Sequence, residues 1–397
     1  MEQLYRNLEE GFQEMVEIRR HLHQYPELSF EEVETPKLIA DFHKKLGHEV
    51  RTGVGGRGVV AFLQGGKAGP TIALRADFDA LPIQEENDFS YKSKVDGVMH
   101  ACGHDGHTAA LLGLAKALNQ MKDKIEGKIV FIHQHAEEIP PGGAIAMIED
   151  GCLDGVDVIF GTHLWATCPL GEIGYRTGAF MAAPDRFDIK IQGYGGHGSQ
   201  PELTKDSIAI AGQLIVNMQQ IVSRRVSALD SAVVSICSIE AKNPYNIIAD
   251  SVNLTGTVRT FKEDMRNHIE KEIERVVKGT CIAADADYIY QYTRGYPATV
   301  NHKEETEFLA KIAKSAPSVT SVKEYEPQMG GEDFAYYLQH VKGAFFFTGA
   351  GIPGRERYPH HHPKFDIDER ALLTAAQVLG TAALEYMKKN NACLREE

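Results

Sequence analysis

Four side chains that bind transition metals well fall inside one short stretch, MHACGHDGHTAALLG at 99–113: His100, Cys102, His104 and His107. Thiolate and imidazole together suit a divalent transition metal such as Zn, Mn or Co. One loop cannot hold a metal alone, and the chain offers further donors. TIALRADFD ends in Asp77 and Asp79, KIVFIHQHAEE in Glu137 and Glu138, and VDVIFGTH in His163, while the Pro-bounded YPHHHPKFDID adds His360, His361 and His362. That is enough for two metals. Each piece has an ordinary alternative: Cys102 as a buried inert thiol, His100 and His107 as polar residues at a helix edge, the two Glu as a solvated pair. The Glu pair, however, follows an apolar strand and precedes IPPGG, a rigid turn.

These donors need elements that deliver them to one place. GVVAFLQ (58–64), TIALRAD (71–77), KIVFIHQ (128–134) and VDVIFGTH (156–163) read as strands, with helical spacing at 107–121 and 142–151 between them. Strands alternating with helices imply a mostly parallel sheet covered by helices, an α/β fold. Open parallel sheets bind ligands beyond the carboxyl ends of their strands, and three of these strands end in carboxylate or imidazole. Cys102 and His104 lie just before a helix and can share that rim. The first 47 residues read as two helices broken at PEL (26–28).

Beyond about residue 180 the pattern changes. A strand at 186–193, a helix at 206–222, strands at 231–240 and 251–261, a helix at 265–283 and a strand at 287–294 give βαββαβ, the ferredoxin-like split motif. Helical and strand signals then resume up to a long closing helix at 369–389. The expected organisation is a discontinuous α/β domain, 1–182 and 298–397, interrupted by an inserted α+β domain at 183–297.

The 397 residues carry 43% hydrophobic and 24% charged side chains, an ordinary globular balance. A net charge of −13 without a basic patch argues against nucleic acid as a partner. No apolar run is long enough for a membrane span, and the charged amphipathic N-terminus lacks the apolar region of a signal peptide. Six Cys without a spacing pattern argue against a disulfide framework. A reduced, cytoplasmic protein is expected.

At the metal-binding residues the sequence resembles the metal-dependent N-acyl-amino-acid amidohydrolases. This branch of the zinc exopeptidase superfamily includes hippurate hydrolases and plant auxin-conjugate hydrolases. The resemblance runs through RRHLHQYPELSFEE, LRADFDALPIQE, HACGHDGHTAALLGLA, HAEE, GTHLW, GGHGSQP, NIIADSVNLTGTVRTF, MGGEDFAYY and HHHPKFDIDE. It implies a catalytic domain with an inserted ferredoxin-like lid through which subunits pair, as a homodimer or higher homo-oligomer. It also implies two divalent metal ions per subunit (Zn, Mn, Co or Ni) held by Cys102, His104, Glu138, His163 and His361. By the same resemblance Glu137 is the general acid/base and Asp79 the support behind the metals. His197 and Asn246 contact the substrate carbonyl, in cis or from a partner subunit, and Arg259 holds the substrate carboxylate. The chain departs from the family pattern at His135, where PAEE usually stands, at GGHGS followed by PE, and at NIIA. These changes bear on substrate choice more than on hydrolysis.

The activity so implied is hydrolysis of an N-acyl amino acid, a small-molecule substrate, to a carboxylate and a free amino acid. A dipeptidase or carboxypeptidase of the same architecture is the nearest alternative. A non-catalytic sensor would be expected to lose the base or a ligand, and all the matched positions are present. A closed structural zinc site needs four ligands and no additional Glu.

Overall fold

Apolar runs without alternation read as strands buried on both faces, and four of them form the middle of an eight-stranded sheet. In chain order the first six strands are β1 (Glu49–Val54), β2 (Gly58–Gln64), β3 (Lys67–Asp77), β4 (Glu126–Gln134), β5 (Val158–Pro169) and β6 (Glu172–Tyr175). Across the sheet the order is β1, β2, β4, β3, β5, Gly343–Gly351, β6 and Ser321–Glu324. The central neighbours β4, β3, β5 and Gly343–Gly351 run parallel. β1 and β2 form an antiparallel hairpin that joins β4 antiparallel. The carboxyl ends of β3 and β4 are therefore adjacent, with Asp77 opposite Gln134. This is the mostly parallel α/β sheet that the sequence pattern implies.

The computed structural model describes residues 1–393. It resolves into two compact units. The larger takes Met1–Phe180, Val300–Glu326 and the chain from Asp333 onward; the smaller takes Met181–Thr299 and Pro327–Glu332. The helices of the larger unit include α1 (Glu2–Glu10), α2 (Phe12–Gln24), α3 (Glu34–Lys45), α4 (His104–Asn119) and the long Arg370–Cys393. One core joins Leu4, Leu8 and Met15 of α1 and α2 to Leu111, Leu114 and Leu118 of α4 and to Ile72, Leu74, Ile129 and Phe131 of the sheet. A second, smaller cluster seats α3 through Ile39 and Ala40 against Val59, Phe78 and Leu112.

The smaller unit is a four-stranded antiparallel sheet in the order Ala232–Glu240, Ser251–Thr260, Ala183–Gln192, Asp287–Arg294. Its two helices, Ser207–Arg225 and Glu263–Ala283, complete the βαββαβ order. Asp206 caps the first of them by accepting from the backbone N–H of Ile208 and Ala209. The inner face packs Phe187, Ile189, Ile191 and Leu254 against Leu214, Ile269 and Ile273. Gly256 has no side chain because Phe187 occupies the space: an added Cβ would lie 2.0 Å from that ring.

Two local differences from the sequence reading matter. The first helix is split at Gly11, so the N-terminal region holds three helices rather than two. The helix expected from 107 begins at His104, because Gly103 (φ 91) turns the chain sharply into it. His104 therefore stands on the first turn of α4, not in a loop.

Candidate metal centre

Asp79, two residues past the end of β3, is the hub of the site. Its Oδ2 accepts from the backbone N–H of Glu138 at 2.9 Å and from the Ser29 hydroxyl at 2.7 Å. Its backbone carbonyl and Oδ1 accept from Nδ1 of His104 at 2.9 and 3.1 Å. With Nδ1 committed, Nε2 is the free atom of His104. It is buried, has no hydrogen-bond partner, and lies 3.8 Å from Glu138 Oε1 and 3.9 Å from Asp77 Oδ2. Glu138 Oε1 is likewise buried and unpartnered.

The remaining expected ligands converge on the same place. Cys102 Sγ lies 3.4 Å from Nε2 of His163, whose Nδ1 donates to the Leu164 carbonyl at 3.0 Å. His361 turns into the site with φ 65, pinned by its backbone N–H on the Ala101 carbonyl at 2.8 Å, and its Nε2 is 3.3 Å from Glu138 Oε2. Donor atoms within 4.8 Å of one another form three overlapping groups: Cys102, His104 and His163; Cys102, Glu138 and His361; His104, Glu137 and Glu138. Two of the groups share Cys102.

The electrostatics favour positive charge here. Burial works to lower the His104 pKa, but Asp77, Asp79 and Glu138 outweigh it and raise it to about 10. Burial holds the Cys102 thiol well above its ordinary value, and Glu138, Glu137 and Asp77 add to the shift. Sulfur, imidazole nitrogen and carboxylate oxygen in a buried negative field, with two orphaned donor atoms, are a chemical fit for a divalent metal. A cation among them would satisfy His104 Nε2 and Glu138 Oε1 together.

His107 is near enough to join a group with Asp77 and His104, yet both its nitrogens are spent. Nδ1 meets Asp77 Oδ1 at 2.6 Å, and Nε2 accepts the backbone N–H of Leu164 at 2.8 Å. It braces the residue after His163. His360 is also engaged, its Nε2 donating to the Leu164 carbonyl at 3.0 Å, and Nδ1 of His362 accepts from the Lys364 N–H at 3.0 Å. Glu137 is buried, and its Oε1 lies 3.4 Å from the backbone N of Asp333.

His197, Asn246 and Arg259 belong to the smaller unit. Nδ1 of His197 accepts from the hydroxyl and the backbone N–H of Ser199 at 2.8 and 3.1 Å, leaving Nε2 as the protonated edge. The Asn246 carbonyl accepts from Gly198 N–H at 2.8 Å, so these two residues share one short two-stranded turn. Arg259 is half-buried and donates to the Thr257 hydroxyl at 2.7 Å. Burial lowers its pKa, opposed by Asp185.

The model of peptidase family M20/M25/M40 matches residues 73–385. The chain belongs to this family. It is 59% identical, over 97% of both chains, to the YhaA protein of Bacillus subtilis (strain 168). It is 46% identical to a Geobacillus stearothermophilus N-acyl-L-amino acid amidohydrolase, over 76% of this chain and 82% of the relative. Its fold superposes on the solved structure of Bacillus subtilis YXEP, a dinuclear metal-binding M20 peptidase, with a TM-score of 0.82. The two are 37% identical, covering 96% of this chain and 99% of that one. The M20 chain described here is a metal-dependent hydrolase of the amidohydrolase and peptidase kind.

Sequence reasoning passed over several residues that shape this M20 centre. Arg75, fully buried, donates to Asp77 Oδ2 at 2.5 Å, to Asp333 Oδ1 at 2.8 Å and to Gln134 Oε1 at 2.9 Å, stitching the strand ends together. The signal was present: Arg75 and Asp77 are two apart on a strand and share a face. Ser29 and Glu32 gave no comparable local signal, since the partners that tie them to the centre, Asp79 and Ala136, are 50 and 104 positions away. Cys102, Cys152, Cys168, Cys237 and Cys281 are free thiols, and among the described residues no helix is long and apolar enough to cross a membrane.

Proposed function

We propose that this enzyme hydrolyses the amide bond of N-acyl amino acids, with Glu137 as general acid/base beside metals held by Cys102, His104, Glu138, His163 and His361. The observation that carries the reading is the Glu137–Glu138 pair. Both carboxylates group with His104, and Cys102, Glu138, His163 and His361 supply the donors of a metal site with Glu137 beside them. The similarity to an N-acyl-L-amino acid amidohydrolase supports the substrate class.

A divalent metal bound there supplies Lewis acidity and lowers the pKa of water toward neutrality. Glu137 takes the proton of the attacking water and returns it to the leaving amine, worth about 10²–10⁴-fold. Asp79 fixes His104 and the Glu138 backbone together, so one carboxylate sets two ligands. His197, through its Nε2–H, and Asn246 meet the substrate carbonyl. Arg259 receives the substrate carboxylate, for which a planar, permanently charged guanidinium is suited. The smaller unit acts as the lid through which subunits pair.

The test is a panel of N-acetyl amino acids and dipeptides, assayed before and after chelation, with metal content measured on the same samples. N-acetyl amino acids should be cleaved, chelation should abolish this, and metal return should restore it. Glu137→Gln should keep its metal and lose about 10²–10⁴-fold in kcat; near-normal turnover would remove Glu137 as the base. The YXEP likeness favours a second reading, a peptidase, and cleavage confined to the dipeptides would establish it instead.

A further inference from the structure

The geometry points to Glu32 as a positioning residue for Glu137: it holds the left-handed backbone step that aims the base. This rests on the reading of Glu137 given above. Only His135 and Ala136 separate the end of β4 from Glu137. Ala136 has φ 51, a conformation that a Cβ disfavours and that glycine would adopt freely. Such a residue persists only where its surroundings over-determine it. Here the Ala136 N–H donates to Glu32 Oε1 at 2.9 Å, and its carbonyl accepts from the Gly143 N–H at 3.1 Å.

Glu32 is itself an uneconomical choice for the fold. It is 1% exposed, and its second oxygen is buried without a hydrogen-bond partner, 3.9 Å from Arg57 Nε. Burying a carboxyl with half its capacity unused is unfavourable, and an apolar side chain would pack there at less cost. The bond to Ala136 is what such a side chain could not make. Arg57 also clasps the loop by donating to the Glu32 backbone carbonyl.

The same loop, between α2 and α3, reaches the hub as well. Ser29 donates to Asp79, which accepts from the Glu138 N–H, and Phe30 beside it is left-handed too (φ 65). One short segment thus holds the chain on both sides of Glu137, through Ala136 before it and through Asp79 after it. Burial raises the Glu32 carboxyl to about 7, with Asp79 adding to the effect, so an amide is a close substitute for it.

The experiment compares Glu32→Ala and Glu32→Gln in the metal-loaded enzyme acting on an N-acetyl amino acid. Glu32→Ala should lower kcat by about 10–100-fold, with KM and metal content unchanged, because the base is displaced and not lost. Glu32→Gln keeps an acceptor for the Ala136 N–H and should restore most of that rate. Amide exchange of the segment 133–138 should quicken in the Ala variant alone, a readout that does not depend on turnover. In a Glu137→Gln background the Ala change should have no further effect on rate. Should Glu32→Ala not fold, Glu32→Asp withdraws the acceptor while keeping the charge and carries the same expectations. Normal kcat with quickened exchange, an equal loss in the Glu137→Gln background, or loss of metal would each overturn the proposal. If wild type leaves every N-acetyl amino acid intact, or Glu137→Gln is fully active, the functional reading fails while the exchange result still judges the Glu32 clamp.

Discussion

Replacing Arg19 by Met should destabilise the larger unit severely, although Arg19 touches none of the proposed ligands. Arg19 is fully buried in α2. Its Nε is 2.8 Å from Asp105, Nη2 is 3.0 Å from Asp366, and Nη1 is 3.3 Å from Glu369, while Tyr91 lies over the guanidinium at 4.9 Å. Asp105 is just as buried, at the residue after His104. Burial pushes its pKa up, but Arg19 and then His23 prevail and hold it well below the ordinary carboxylate range. Methionine would leave that carboxylate with His23 alone. Removing one partner of a buried pair costs about 3–5 kcal/mol, mostly from the stranded charge. The larger unit has roughly 270 residues, and about 2.1 cal/mol/K per residue gives an unfolding entropy near 0.6 kcal/mol/K. The melting transition should therefore fall by about 5–9 °C. Calorimetry of the metal-loaded enzyme is the assay. Arg19→Lys should not rescue, because a point charge cannot serve three carboxylates that a fork spans. Arg19→Met combined with Asp105→Asn should recover part of the loss, since no charge is then stranded. A drop below about 2 °C, or full rescue by Lys, would refute the reasoning.

Two further outcomes follow from buried histidines. His43 bridges His48 (Nδ1 to Nδ1, 2.9 Å) and His133 (Nε2 to Nε2, 3.0 Å), and burial lowers His43 to about 2 and His133 to about 3. Folded values below the unfolded ~6.5 mean that their contribution is complete above pH 6.5 and is lost as pH falls toward the folded values, each by up to about 1.4 kcal/mol per unit. Urea midpoints of chelated protein between pH 7 and 5.5 should fall less steeply in His43→Phe than in wild type, and parallel slopes would contradict this. For the metal centre, His107→Phe strips the Leu164 N–H of its acceptor and Asp77 of a partner. Competition with a chelator should show metal bound about 10–100-fold more weakly, and unchanged affinity would mean that His107 does not brace His163.

The strand ends were legible because three apolar runs each stop at a chemical side chain, and parallel pairing puts such stops on one rim. What was not legible is how like residues divide. His104 and His107 are equivalent by type and spacing; what separates them is the Leu164 N–H, 57 positions away, which occupies one and not the other. Asp77 and Asp79 are a similar pair by type and spacing; the resemblance singles out Asp79, and the physical reason is Arg75 on the first and the Glu138 N–H on the second. The left-handed residues were hidden for the same reason. Ala136 and His361 are not glycines, and nothing local demands φ 51 or 65; distant partners, Glu32 and the Ala101 carbonyl, impose them. Helix and strand patterns are written in short-range periodicity, whereas a site made of backbone turns is written in tertiary hydrogen bonds.

The division among the buried acids follows one rule of partner chemistry. Asp77 and Asp333 face the guanidinium of Arg75 and Asp105 that of Arg19, in addition to the imidazoles of His107 on Asp77 and His23 on Asp105. A guanidinium stays charged and binds no metal, so these carboxylates are committed to holding strands and helices together. Glu138 instead meets the imidazoles of His104 and His361, and Asp79 meets His104 and the Glu138 N–H. An imidazole is itself a metal ligand once its second nitrogen is free. Pairing Glu138 with imidazole therefore keeps both partners available to a cation, and pairing Asp79 with Nδ1 turns Nε2 toward it. A guanidinium introduced near Glu138 would fill the negative field permanently, whereas the imidazoles leave it open to a metal.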